Sequence, residues 1–457
     1  MIQFFPVPHA TIVSTALALG VAASLIGSPA AAQSPDAPAG SSEDAVTSLF
    51  DGQTLEGWSN PYPWGKAEVS DGQIHLTSNE KFFLVTDRVF HDYEFEGEIK
   101  LPPGKSNSGI MARGQVAPQF VYGYQAEADP TDRKWSGGLY DEGRRQWLNP
   151  LWEQPEAQAA FDRDRWNRYR IRCVGNHLQF FVNDVPTTDY FDPADLSGRI
   201  GLQHHGEDGQ TYRFRNLNVR DLGRHEWVDL FDGKTLDGWK KIGGGNWNVV
   251  DGVIQGRTER KADQPHGLLY SKELHRDGTY RLEYRVATGD SGFYVRGKIL
   301  DANPFIAGVQ AEVDDTAEVA GLYQTGGKGW LVRPLHYLDQ HFPKPRRSAV
   351  RQSWQKARRG IDVAAPPKSA GNSSEPDGQD SKADSASDPP WQTMVINVHG
   401  NRIVTHLNGC LASDHVVEDL EPEGVIALQL HSKQDVRIDI RSVQMLQPVT
   451  HESSRPD

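Results

Sequence analysis

Residues 93–101 read YEFEGEIKL. Tyr93, Phe95 and Ile99 alternate with Glu94, Glu96 and Glu98, a period of two that puts one face of a strand in a core and the other in water. The pattern returns further along, where Tyr280, Leu282, Tyr284 and Val286 alternate with Arg281, Glu283 and Arg285. Two more apolar rows, Tyr169/Ile171/Cys173 and Leu178/Phe180/Val182, flank Gly175-Asn176, a strong hairpin turn. Half-buried strands at short spacing predict a two-sheet antiparallel sandwich. Long helices are not expected, and Pro155–Phe161 is the best short helical segment.

The echo belongs to a duplication of the whole chain. LFDGQTLEGW (Leu49–Trp58) returns as LFDGKTLDGW (Leu230–Trp239). NSGIMARG from Asn107 matches DSGFYVRG from Asp290, and GYQAEAD from Gly123 matches GVQAEVD from Gly308. GRIGLQHH from Gly198 matches GVIALQLH from Gly424. Repeats of this length in a fixed order mean a tandem pair of like domains. The reading places a signal peptide at 1–32, a mobile spacer at 33–46, a first domain at 47–222 and a second at 226–447. The junction is very short, so the domains are expected to pack on each other. The second domain carries an insertion at 344–390. Its first part, Lys344–Arg359, has seven basic residues and no acid. The part from Ala364 to Pro390 is rich in Ser, Asp, Pro, Gly and Lys and is expected to be disordered. The basic part reads as a solvated loop, or as a flap meeting an acidic glycan, a cell surface or the partner domain.

With 457 residues and a net charge of −13, the chain is acidic, which argues against nucleic acid as a partner. Its 44 Gly and 28 Pro fit a turn-rich β protein. Ile12–Ile26 is apolar and uncharged, and Ala30-Ala31-Ala32 supplies a small-residue cleavage site. The expectation is a secreted or periplasmic bacterial protein with no transmembrane segment in the mature chain; an uncleaved anchor is the rival reading. The cysteines, Cys173 and Cys410, each align with an aliphatic residue of the sister domain, so both are expected to be buried thiols.

The ordered set LFDGxTLxGW, NSGI, GYQAEAD, GLYDEGRR, WNRYRIRCVGNHLQFFVND and GRIGLQHHG resembles the 3-keto-disaccharide hydrolase family. The resemblance covers both domains apart from the insertion. It implies an all-β fold of two tandem concanavalin-like jelly-roll β-sandwich domains, and activity on a carbohydrate. Where many members carry Glu-x-Gln, this chain has Gln125-Ala126-Glu127.

Strand parity then groups the polar candidates. Gln125, Glu127 and Asp129 share one face, and Asn107, Gly109, Met111 and Arg113 share one. Gln203 and His205 face opposite Leu202 and His204, and Leu430 in the second domain aligns with His204, which points His204 to the core. Arg113, Gln125, Glu127, Asp129, Gln203 and His205 recur as Arg296, Gln310, Glu312, Asp314, Gln429 and His431. Such a polar sheet face suits sugar hydroxyls; a structural Arg–carboxylate bridge is the plainer reading.

The next segment separates the copies. Tyr140-Asp141-Glu142-Gly143-Arg144-Arg145 becomes Tyr323-Gln324-Thr325-Gly326-Gly327-Lys328. Loss of titratable groups marks the first domain as the active copy and the second as degenerate, unless Asp141–Arg145 is only a charged hairpin tip. The catalytic candidates are Glu127, Asp141, Glu142 and His205. Asn107, Arg113, Gln125, Tyr140, Arg144, Arg145 and Gln203 are the substrate-binding ones.

For a 3-keto sugar the ketone acidifies the C2 hydrogen. Its removal gives an enolate that expels the C1 substituent, and water then adds. Glu127 or His205 serves as base, Arg113, Arg144 or a divalent cation steadies the enolate, and Asp141 or Glu142 is the acid. No cofactor is required; a divalent cation is compatible, with no ligands to name. A two-carboxylate glycosidase and a non-catalytic glycan-binding protein, with Trp135, Trp147 or Trp152 stacking on sugar rings, remain as alternatives.

Overall fold

The computed structural model describes residues 46–367 and 388–449. The signal peptide, nearly all of the spacer and most of the segment expected to be disordered lie outside that range. The described residues fall within one compact unit.

The fold is all-β, with two sandwiches in tandem. The first pairs an eight-stranded sheet with a seven-stranded one. The order of the latter is Gln146–Asn149, Leu139–Glu142, Phe120–Ala128, Ser108–Ala117, Arg199–His204, Phe82–Thr86 and Trp58–Ser59. The second sandwich repeats that order with Gly329–Val332, Leu322–Thr325, Ile306–Val313, Ser291–Ile299, Val425–Leu430, Gly267–Ser271 and Trp239–Gly243.

Period-two alternation sorts each strand by face. Ile110, Ala112, Tyr124, Ala126, Leu139 and Leu202 join the first domain's core. The alternate residues Met111, Val121, Phe83 and Val85 form a small separate cluster on the outer face of the seven-stranded sheet. Gln125 and Glu127 lie on that outer face. His204 is fully buried, stacked on Phe82 with ring centroids 5.9 Å apart and edge-on to Tyr212 at 4.6 Å.

One residue leaves its expected face. The pairing of Ser108–Ala117 with Phe120–Ala128 shifts register between Ala112 and Gln115, and Arg113 has φ +50°. This bulge turns Arg113 inward. Its guanidinium, wholly buried, donates to the carbonyls of His91 (2.8 Å), Gly175 (2.5 Å) and Asp195 (3.1 Å) and to Asp92 Oδ1 (3.0 Å). Asp92 also lies 2.5 Å from Nδ1 of His225 in the domain junction. Arg296 repeats the clamp on the carbonyls of Arg276, Gly400 and Glu421. Arg113 recurs because each sandwich must pin its hairpin turn, so its assignment to substrate binding is corrected.

The second domain holds helices that the sequence reading left out. The short α1, Pro155–Gln158, lies where helix was expected. Just ahead of the insertion α2 spans Pro334–His341, and at its start α3 spans Lys344–Arg358, both with a Pro in the first turn. Trp354 and Ala357 of α3 are fully buried, with Val350 packed beside them. That spacing makes one apolar stripe on an otherwise charged helix.

The two sandwiches meet through the second domain's strands Arg402–Leu407 and Cys410–Val416. Val404 and Leu411 join the first domain's core cluster. Arg402 donates to Asp189 (2.5 Å), Asn176 to Asn397 (2.6 Å), and Arg145 to the Gly409 carbonyl (2.8 Å). Cys173 and Cys410 are free and buried.

Candidate functional site

The outer face of the first seven-stranded sheet collects polar side chains in register. Glu127 is the Cα partner of Gly109, and Gln125 partners Met111 on one side and Tyr140 on the other. Leu202 pairs with Ile110, so continuing that register sets Gln203 beside Gly109. A Cβ on Gly109 would meet the Gln125 side chain at 2.6 Å, so glycine leaves the space in which that amide lies.

Glu127 is 5% exposed. Asn107 Nδ2 donates to its Oε1 and Gln125 Nε2 to its Oε2, both at 2.8 Å. Burial pushes its carboxyl up to about 7; the two amides oppose the shift, and the charges of Asp129 and Glu142 add to it. The buried Oε1 atoms of Gln125 and Gln203 have no hydrogen-bond partner.

A charged pair crosses the same face. Lys81 Nζ lies 2.5 Å from Glu142 Oε1, joining the strands Phe82–Thr86 and Leu139–Glu142 from opposite sides of the sheet. The Tyr62 hydroxyl accepts the Val121 N–H at 3.0 Å, so its loop also spans the face. Tyr140 sits between the two acids, and burial plus the charges of Glu142 and Glu127 push its phenol to about 12. Trp147 stands edge-on to Tyr140 (5.2 Å) and to Trp135 (4.8 Å), and the Arg133 guanidinium covers both Trp rings. Trp152 is half-buried in the following loop.

Asp141 is not in this cleft. Its Cα partner is Tyr124, a core residue, so it points through the sheet away from Glu127. There it takes Arg144 Nε at 2.9 Å and Arg145 Nε at 2.5 Å. Arg145 continues to Asp192 (2.8 Å) and Arg144 to Asp195 (2.5 Å). Arg144 also donates to the Ala364 carbonyl at 3.3 Å, across the seam. Burial raises the Asp192 carboxyl, but Arg145, a Tyr124 hydrogen bond and other partners outweigh it and hold Asp192 low. Asp141, Arg144 and Arg145 are thus corrected from site residues to a buried ionic seam. The second domain lacks this set because its hairpin meets solvent: Lys328 is 58% exposed, and Gln324 Oε1 takes the Lys328 N–H (3.0 Å) much as Asp141 Oδ2 faces that of Arg145.

His205 is also corrected. It is half exposed at the rim and bonds Glu207 Oε1 at 2.9 Å, not Glu127. Tyr212 donates to Glu207 (2.6 Å) and accepts the Asn107 N–H (3.3 Å), so His205 reaches the site only through the placement of Asn107. The structure thus gathers Asn107, Gln125, Glu127, Tyr140, Glu142 and Gln203 on one face, and adds Lys81, which sequence reasoning missed.

The second domain repeats the cluster. Gln310 Nε2 donates to Glu312 Oε1 at 2.8 Å, and the buried Oε1 atoms of Gln310 and Gln429 are unpartnered. Asp290 stands where the first domain has Asn107. Burial first, then the Asp290 charge, push the Glu312 carboxyl up to about 8. Folding therefore keeps a proton that the unfolded chain releases between 4.5 and about 8, so stability falls as pH rises through that window and levels above it. Glu312→Gln is expected to match the parent at pH 4 and to exceed it at pH 9 by up to about 5 kcal/mol, read from thermal melts at both pH values. Among the described residues no group of three His, Cys, Asp or Glu side chains is placed to hold a metal ion.

Three solved structures show the kind of likeness found. A candidate glycosyl hydrolase from Parabacteroides distasonis is 15% identical over 39% of this chain and 94% of its own, with TM-score 0.30. A carbohydrate-binding module of Bacillus subtilis, CBM66, is 16% identical over 36% and 96%, with TM-score 0.28. The kappa-carrageenase of Pseudoalteromonas carrageenovora is 12% identical over 49% and 96%, with TM-score 0.30. No curated protein matches the chain. A family model described as a 3-keto-alpha-glucoside-1,2-lyase-like domain matches residues 45–220 and again 226–445. With both of its sandwiches matched, the chain belongs to the 3-keto-disaccharide hydrolase family as two tandem copies.

Proposed function

We propose that the first domain cleaves 3-keto-glycosides by elimination and then hydration. The observation that carries this is Glu127, a buried carboxyl near 7 held by two amides on the outward polar face. A base with that value is half ionised at neutral pH and can both take and return a proton. Glu127 takes the C2 hydrogen, the electron pair forms the C1=C2 bond, and the C1–O bond breaks. Water then adds across C1=C2, which gives net hydrolysis. Lys81 supplies the positive charge for the enolate oxygen, the role first given to Arg113 or Arg144. Tyr140, whose phenol keeps its proton at neutral pH, is placed to protonate the leaving oxygen, and Glu142 holds Lys81 beside it. The steps use side chains and water alone.

The second domain supports a sugar-binding reading. It keeps the Gln310–Glu312 pair and the unpartnered Gln429 Oε1, but carries Thr325 where the first domain has Glu142. Export to the periplasm or beyond is inferred from the apolar run Ile12–Ile26 and Ala30-Ala31-Ala32.

The test is to incubate the purified protein with a 3-keto-disaccharide and its unoxidised parent. Cleavage of the keto sugar alone is expected. Cleavage of the plain sugar would replace this reading with a two-carboxylate glycosidase. Binding with no turnover of either would leave a glycan-binding protein.

A further inference from the structure

A cavity of about 370 Å³ lies between α3 and the Arg144–Leu148 hairpin of the first domain. Its apolar wall includes Trp147, Leu148 and Phe342, and its polar wall includes Arg346 and Lys356. Trp147 connects it to the candidate site, since the ring stands edge-on to Tyr140, the Cα partner of Gln125. Trp147 is thus both a wall of the cavity and a neighbour of the residue beside Gln125.

The charges there are out of balance. Arg144 and Arg145 also line the cavity, but Asp141, Asp192 and Asp195 already hold them. Arg346 and Lys356 pair with no carboxylate among the described residues. Arg346 Nη1 donates to Gln146 Oε1 at 2.6 Å, while its Nε is buried without an acceptor. Asp362, the acid in the lining, spends Oδ1 on the Ala364 N–H at 2.9 Å. The Arg346 guanidinium and Lys356 ammonium thus leave positive charge in the lining that an anion would balance. The aromatic and aliphatic wall beside it suits a ring.

We propose that this cavity holds the substrate's leaving group and selects an anionic ring, with Arg346 on its carboxylate and Trp147 against its face. The inference rests on the reading that the sugar sits over Glu127. It gives the basic insertion of the second domain a part in the first domain's specificity.

The experiment has two arms. In the first, the parent protein, Arg346→Ala and Arg346→Lys are assayed on the 3-keto-glucosides of 4-carboxyphenol and of phenol. The parent is expected to prefer the carboxyphenyl substrate in kcat/KM by about tenfold, with the gain in KM, and Arg346→Ala to bring that ratio near one. Arg346→Lys should keep part of the preference. In the second arm, free 4-carboxyphenol is titrated against each protein by calorimetry, which needs no turnover. Saturable binding by the parent, weakened about tenfold in Arg346→Ala with an unchanged melt, is the expected result. A parent that does not bind the phenol, or an Arg346→Ala variant that binds it equally well, overturns the proposal. Phenol binding that depends on Arg346 without cleavage of either glucoside would uphold the cavity and sink the lyase reading instead.

Discussion

Arg145→Ala is expected to cost the fold about 3–5 kcal/mol, the usual toll for removing one partner of a buried ion pair. The reason is local. Asp141 and Asp192 are 0% and 1% exposed, and Arg145 bridges them. Without it two carboxylates stay buried in the seam with one guanidinium fewer between them. The loss should appear as a lower midpoint in thermal and urea melts. Lys328→Ala, at the matching place in the second domain, should shift stability by less than about 1 kcal/mol, because its partner Glu418 is exposed. Asp141→Asn makes the complementary test. It should lower the melt while turnover per folded molecule survives. An intact melt with abolished turnover would return Asp141 to the catalytic set.

Glu127→Gln is the second large effect. Gln has the same shape and removes the base; its new NH2 can donate to the free Gln125 Oε1 once that amide turns over, so the melt should hold or rise above pH 7. Turnover of a 3-keto-glycoside should fall by roughly 10²–10⁴. In the parent, kcat/KM should climb as pH rises through about 7, because the base works ionised. Glu127→Gln should lose that limb. A variant that keeps the parent rate and the same limb would show that another group takes the proton.

Much of the scaffold was legible. The alternation at Tyr93–Ile99 marks half-buried strands, and the Leu430 counterpart correctly sends His204 to the core. The same parity puts Gln125 and Glu127 together, since it depends only on neighbours within one strand. What escaped depends on distant parts. Asp141 looked catalytic because its sister residue is Gln324, yet the difference comes from the seam, where Arg145 meets Gly409, 264 positions later. Parity alone would have separated Asp141 from Tyr140 and Glu142, had it been carried through that strand. Arg113 left its face at a bulge, which no alternation announces. Lys81 reaches Glu142 across 61 positions, with no local pattern to mark it. In α3 the stripe Val350, Trp354 and Ala357 was visible in spacing, but the surrounding Arg and Lys residues disguised it as a solvated loop.

The most direct measurement follows the hydrogen at C2. A 3-keto-glucoside carrying deuterium at C2 is given to the parent protein in ordinary water, and the released sugar is examined by mass. The account predicts that the label is lost to solvent in step with cleavage, and that Glu127→Gln slows both together. A released sugar that keeps its deuterium while the bond is cut at full rate would contradict it.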